Sequence, residues 1–228
     1  MILYIIYFFL SPFLWVLTII SSPFNKKIRT RLFYYRALLT ESLQKINSTN
    51  KKVILFHAAS NGELEQLKPI FRSIDKNEYF IFLTTSSPSS IDQISMNEVD
   101  AYCYQAFDFP WTVNNFFSRV KPEKYIITRH DIWPNHIILS KKYCKNIFLI
   151  NANLPKSSKR LFPVINSLYK YLFSKFDTIY TVSETMTKEL LKLVNANKLE
   201  TIGDTRFDQI NYRYLKNSKK FPSSFKKT

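Results

Sequence analysis

Six short apolar runs, each followed by a stretch of helical periodicity, leave this chain few folds to choose from. The runs lie at 53–57, 79–84, 101–104, 125–128, 146–150 and 178–182. Between them apolar residues return at three- and four-residue steps, near 63–74, 89–96, 112–119, 133–143, 161–175 and 184–194. Strands and helices that alternate with short connections predict an α/β fold built on a doubly wound parallel sheet. Ligands of such sheets bind outside the carboxyl ends of the strands. The residues that end each run are therefore the first candidates for function.

The most informative end is His57-Ala58-Ala59-Ser60-Asn61-Gly62-Glu63. A buried strand leads in, a tight turn is expected at Gly62, and a helix opens at Glu63. The turn offers a hydroxyl, a glycine that lets a ligand come close, and a carboxylate in a helix's first turn. A purely structural account also fits, because Ser60 with Glu63 three residues on is a capping box. His57 alone reads more readily as a hydrogen-bonded structural group than as a base.

Three other ends are polar where a core would be apolar. The second run leads into Thr84-Thr85-Ser86-Ser87-Pro88-Ser89-Ser90, and the fourth ends in Thr128-Arg129-His130-Asp131. A late segment reads Gly203-Asp204-Thr205-Arg206-Phe207-Asp208. In a parallel sheet these share one rim, and a carboxylate, hydroxyls and two arginines together suit a hydroxylated, anionic substrate. Taken singly, the hydroxyl loop is ordinary and Asp131 could simply cap the next helix.

The flanks differ from this body. Residues 1–25 carry no charge, and 2–20 are almost wholly apolar or aromatic. As a helix these nineteen residues rise about 28 Å, marginal for crossing a bilayer. Lys26, Lys27, Arg29, Arg31 and Arg36 follow at once. A membrane anchor with the following domain on the cytoplasmic side is expected, and Ser11 and Pro12 leave spanning and in-plane arrangements both open. Of the net charge of +16, the segments 1–60 and 209–228 hold most, so the body is nearly neutral. That distribution suits an anionic membrane surface, and no nucleic-acid motif accompanies it. Cys103 and Cys144 sit at no metal or disulfide spacing, so no metal site is expected. The only glycines, Gly62 and Gly203, lie outside any phosphate-cradling pattern.

With these pieces in order, the chain resembles the 3-deoxy-D-manno-octulosonic acid (Kdo) transferases. His57-Ala58-Ala59-Ser60-Asn61-Gly62-Glu63 matches their H-A-x-S-x-G-E. Phe107-Asp108-Phe109-Pro110, then Phe116-Phe117 and Lys121-Pro122, follow in family order. Asp131-Ile132-Trp133-Pro134-Asn135 is similar to E-L-W-P-N, Asn151-Ala152-Asn153-Leu154 to N-A-R-L, and Gly203-Asp204-Thr205-Arg206-Phe207-Asp208 to G-D-T-R-F-D. The resemblance implies the Rossmann-like N-terminal half of a GT-B glycosyltransferase. It implies transfer of Kdo from CMP-Kdo to a lipid A precursor, without a bound metal or other cofactor, at the cytoplasmic face of the inner membrane.

Carried over by position, Glu63 would be the general base, kept ionised by the helix dipole. Ser60 and Gly62 would shape its turn, and Arg129, Asp131 and Arg206 would meet the acceptor. The expected organisation is an anchor (1–25), a basic connecting helix (26–50), an acceptor-binding domain (51–210) and a basic linker or tail (211–228). Two departures stand out: Arg129 and Asp131 replace two family acids, and the donor-binding half is expected to lie outside this chain, in a separate domain. The alternatives are a non-catalytic, membrane-bound lipid A-binding module or remnant of a split gene, and a basic membrane-surface or nucleic-acid-binding protein with an incidental α/β body.

Overall fold

The computed structural model describes residues 2–129, 131–155 and 157–218. Seven strands form one sheet: β1 (Lys52–Ala58), β2 (Tyr79–Thr85), β3 (Ala101–Tyr104), β4 (Lys124–Thr128), β5 (Asn146–Ala152), β6 (Thr178–Thr181) and β7 (Leu199–Thr201). All pairs are parallel, in the order β3-β2-β1-β4-β5-β6-β7. The order reverses between β1 and β4, and such a reversal opens a crevice at the strands' carboxyl ends.

The helices are α1 (Ile2–Ser21), α2 (Lys26–Asn47), α3 (Asn61–Ser73), α4 (Pro88–Ile91), α5 (Pro110–Val120), α6 (Pro134–Ser140), α7 (Pro163–Phe173), α8 (Glu184–Leu190) and α9 (Arg206–Ser218). Four of them, α4 to α7, begin on proline. Proline's fixed φ suits a helix's first position, where its missing N–H leaves no bond unmade. These prolines fix where the chain turns from strand to helix, and so keep the rim short.

The central strand explains the two-sided core. Side chains alternate across a strand, so Ile54, Phe56 and Ala58 face Leu64, Leu67 and Phe71 of α3. Val53 and Leu55 face the opposite way, into a cluster with Leu39 and Leu43 of α2 and Phe116 and Phe117 of α5. Phe56 meets Phe71 edge-on at 5.0 Å. Truncating such a buried ring costs about 3–5 kcal/mol.

All six expected strands are present. The structure adds β7, which is only three residues long and exposed at two of them. It shortens the helix expected at 89–96 to the single turn α4. The linker expected from residue 211 is corrected for 211–218, which continue α9; residues 219–228 lie outside the description. The segment stays helical because α9 docks on α3. Gln209 Nε2 donates to Glu65 Oε2 at 2.9 Å, and Arg72 Nη2 donates to Gln209 Oε1 at 2.6 Å.

Helix α1 has mean hydropathy 2.2 and is long enough to cross a membrane, yet it lies along the domain. Tyr4, Tyr7, Ser11 and Trp15, three or four residues apart, share one face. Tyr4 Oη donates to Asn135 Oδ1 at 3.0 Å and Tyr7 Oη to Asp108 Oδ2 at 2.9 Å. Ser11 is buried, and Trp15 packs edge-on against Phe109 at 5.2 Å. These contacts run for about 16 Å of helix. The other face, with Ile2, Phe9, Phe13 and Ile20, is exposed, Phe9 by 75%.

Candidate active site

The crevice between β1 and β4 gathers the side chains expected to work together. Ser60 caps α3: its Oγ accepts from Glu63 N at 3.4 Å. Glu63 reaches back one residue further than a capping box requires. Its Oε2 accepts from Ala59 N at 2.7 Å, while Oε1 takes no hydrogen bond among the described residues. The residue is 6% exposed. Burial raises its pKa above the ordinary carboxyl value, and the Ala59 N–H and the nearby His57 and Arg129 only partly offset that. Desolvation thus acts against the helix dipole, and a raised pKa makes the ionised carboxylate a stronger base.

Gly62 is the second residue of α3, not a left-handed turn. A Cβ placed there would meet only Ser60 Oγ, at 4.0 Å. The tight turn expected at Gly62 is therefore absent, and what the glycine supplies is open space beside the carboxylate.

Opposite Glu63 stands a pair hidden from sequence reasoning. The register sets His57 beside Thr84 on neighbouring strands. Thr84 Oγ1 donates to Phe56 O at 3.0 Å and lies 3.1 Å from His57 Nδ1. His57 Nε2 lies 2.6 Å from Asp131 Oδ2. Trp133 Nε1 donates to Asp131 Oδ1 at 2.8 Å. Burial alone would raise the pKa of Asp131, but the hydrogen bonds from His57 and Trp133 outweigh it and hold the carboxyl below its usual range. Asp131 is thus no helix cap; His57 orients it.

That leaves α6 capped from elsewhere. Asp108 Oδ1 accepts from His136 N at 2.9 Å and Oδ2 from Asn135 N at 3.2 Å, while Asn135 Nδ2 donates to Asp108 O at 2.6 Å. Sequence reasoning gave Asp108 no role, because its partners are about thirty residues away. The available signals were its place in the Phe107–Pro110 stretch of the family resemblance and an acid in an otherwise apolar run, Ala106 to Pro110.

Arg129 closes β4 in the left-handed region, with φ 63°. It is half-buried, and its Nε is enclosed without a hydrogen-bond partner among the described residues. His130, between Arg129 and Asp131, lies outside the description.

The Gly203–Asp208 stretch turns mostly inward. Asp204 Oδ1 accepts from Gln66 Nε2 at 2.6 Å, Thr205 Oγ1 donates to Gln66 O at 2.7 Å, and Asn151 bonds Thr205 through both its amide atoms. Arg206 itself is exposed. The structure therefore groups Ser60, Gly62, Glu63, Arg129 and Asp131 at the crevice, and puts Arg206 on α9, the helix that this clamp fastens to α3. Among the described residues no cluster of His, Cys, Asp and Glu is placed to share a metal ion.

The fold matches solved structures of UDP-N-acetylglucosamine 2-epimerases. The one from Rickettsia bellii superposes with TM-score 0.55 and 13% identity, over 74% of this chain and 48% of that one. That from Methanocaldococcus jannaschii gives 0.51 and 18%, over 75% and 50%. At such identities the likeness is one of fold.

Sequence relatives are more specific. A 3-deoxy-D-manno-octulosonic acid transferase of Aquifex aeolicus is 26% identical over 159 residues, covering 69% of this chain and 41% of the relative. A probable mitochondrial 3-deoxy-D-manno-octulosonic acid transferase from Arabidopsis thaliana is 31% identical over 138 residues, covering 58% of this chain and 31% of the relative. This chain thus spans well under half the length of these relatives. The family model of 3-deoxy-D-manno-octulosonic-acid transferases (kdotransferases) matches residues 26–209, from the start of α2 to the clamp on α9. The chain belongs to the 3-deoxy-D-manno-octulosonic-acid transferase family.

Proposed function

We propose that this chain forms the acceptor side of a Kdo transferase, with Glu63 as the general base. As an acceptor sugar hydroxyl attacks the anomeric carbon of the donor, Glu63 Oε1 takes its proton. The new C–O bond forms as the bond to the nucleotide phosphate breaks, and the anomeric centre inverts. The donor is CMP-Kdo, the acceptor a lipid A precursor, and a donor-binding domain supplies the other half of the site. Arg129, with its unpartnered Nε, meets an anionic group of the acceptor. Asp131, oriented by His57, holds a second hydroxyl, and Ser60 and Gly62 keep the approach open.

The observation that carries this reading is the position of Glu63. It is a raised-pKa carboxylate at the topological switch point, with one oxygen anchored and the other open, which is the arrangement a base needs.

Helix α1 lies in the plane of the inner membrane, on its cytoplasmic side. A helix fastened to the domain along 16 Å of its length leaves too little free to cross a core about 30 Å thick. Its outer apolar face and the lysines and arginines of α2 suit an interfacial helix on anionic lipid.

The test uses the full chain in phospholipid, titrated with a lipid A precursor while tryptophan fluorescence is followed, then assayed, together with a donor-binding domain, for Kdo transfer from CMP-Kdo. Acceptor binding is expected for both wild type and Glu63→Gln, and transfer for wild type alone. Equal transfer by both would remove Glu63 from the mechanism. Saturable binding with no transfer by wild type would favour the non-catalytic module.

A further inference from the structure

Helix α9 is amphipathic in the opposite sense to a helix that lies between a core and water. Its side turned to α3 is polar. Gln209, 5% exposed, bonds Glu65 and Arg72; Arg213 pairs with Glu65; and the Arg72 guanidinium lies over the Tyr212 ring, 3.9 Å from the centroid. Its side turned away is apolar: Phe207, Ile210 and Tyr214 are exposed by 71%, 54% and 70%. At helical spacing these three fall within one arc of about 60°. They follow the i, i+3, i+7 pattern by which a helix face enters a groove. Single apolar side chains in water need no explanation, but an aligned stripe marks a contact surface.

The place of the stripe narrows what covers it. Thr205, just before α9, bonds Asn151 at the end of β5 and Gln66 on α3. Gln66 lies three residues after Glu63, on the same side of α3, so α9 starts beside the crevice. Lipid is not the cover. α3 packs on one face of the sheet, with Ile54 and Phe56. α1 instead packs on Phe109 and Asn135, beside α5 and α6, which belong to the other face. A membrane that holds α1 therefore lies across the sheet from the stripe. The relatives supply a candidate cover. This chain spans 41% and 31% of two of them, so more than half of each lies outside the shared region.

We propose that the face formed by Phe207, Ile210 and Tyr214 is the docking surface for the donor-binding domain. The inference rests on the reading of this chain as the acceptor side of a transferase, and adds where the other half sits. The polar bonds to α3 fix α9 to the domain that carries Glu63, and the apolar stripe holds the partner. A donor seated on this helix is thereby held in a set orientation to the base, which two separate bodies need before a hydroxyl and an anomeric carbon can meet productively.

Cys103 and Cys144 are buried, so Asn211→Cys, at an exposed position of α9, gives the full chain one accessible thiol for an environment-sensitive fluorophore. The labelled chain, in neutral detergent, is titrated with the donor-binding half of the Aquifex aeolicus relative, whose own fold is checked first by CMP binding. A saturable blue shift is expected. Ile210→Glu and Tyr214→Glu should each weaken docking about tenfold or more, because central apolar and aromatic anchors dominate such contacts. Asp208→Asn, on the flank away from the stripe, should leave docking unchanged, and all three variants should melt like wild type. No docking by the wild-type chain, or equal docking by both glutamate variants, would overturn the proposal. A similar shift with phosphatidylcholine vesicles alone would overturn it in favour of lipid. Dimerisation of the chain that Ile210→Glu abolishes would overturn it in favour of a second copy. Kdo transfer, assayed with the donor-binding half below saturation, separates this inference from the catalytic reading. Docking without transfer keeps the surface and removes the enzyme; transfer undiminished in both glutamate variants keeps the enzyme and removes the surface.

Discussion

Two carboxylates sit at the rim of this sheet, Glu63 beyond β1 and Asp108 beyond β3. Both are buried, at 6% and 8% exposure. Burial raises the pKa of both, that of Asp108 to about 6. What separates them is the count of donors. Asp108 accepts from two backbone N–H groups and from the Tyr7 hydroxyl, so both oxygens are occupied. Glu63 accepts from one backbone N–H and keeps Oε1 open. A carboxylate saturated by its own chain holds structure together. One left half-satisfied beside open space is available for chemistry, and a raised pKa by itself does not tell the two apart.

The comparison breaks most visibly in turnover. Glu63→Gln keeps the shape and removes the proposed base, so the proposed Kdo transfer should fall about 10²–10⁴-fold, with the unfolding temperature unchanged or higher. The pH profile sharpens the point. A base works only when ionised, so transfer should fade as pH drops through the pKa of Glu63, and that acid limb should lie above the ordinary carboxyl value of 4.5. A limb at or below the ordinary value would mean the titrating group is not buried Glu63.

Next in size is the stability of the other carboxylate. Asp108→Ala strands three donors and uncaps α6, which should destabilise the protein by about 2–3 kcal/mol. It should also loosen α1, read as faster proteolysis within the first 25 residues. If Asp108→Ala melts like wild type, the saturated carboxylate is not structural and the contrast fails.

The smallest effect is expected at the clamp on α9. Thr205→Ala removes bonds to Gln66 and Asn151 and should cost about 1–2 kcal/mol, with early hydrogen exchange across α9. Arg206→Ala, whose side chain is exposed, should leave stability unchanged and weaken acceptor binding only if that arginine meets the ligand. The pair separates a motif's clamping residues from its surface residue.

Much of this was legible in the chain. Runs such as Val53-Ile54-Leu55-Phe56 announce a strand buried on both faces, and Ser60 with Glu63 announces a helix start, because periodicity and capping act over a few residues. The strand-end reading placed Glu63 at the rim in the same way, and the family resemblance gave it its expected role. The pairing of His57 with Asp131 spans 74 residues and that of Tyr7 with Asp108 spans 101, and no local pattern reports either. The linker expected after residue 210 failed for the same reason: α9 is polar in sequence and is held by α3.

The sequence by itself determined the alternation of strands and helices, the doubly wound parallel sheet and the place of its carboxyl rim, since each follows from short-range spacing and solvent exclusion. Only the tertiary structure decided which acids are satisfied and which are left open. Hydrogen-bond saturation depends on donors that distant parts of the chain bring to the same spot.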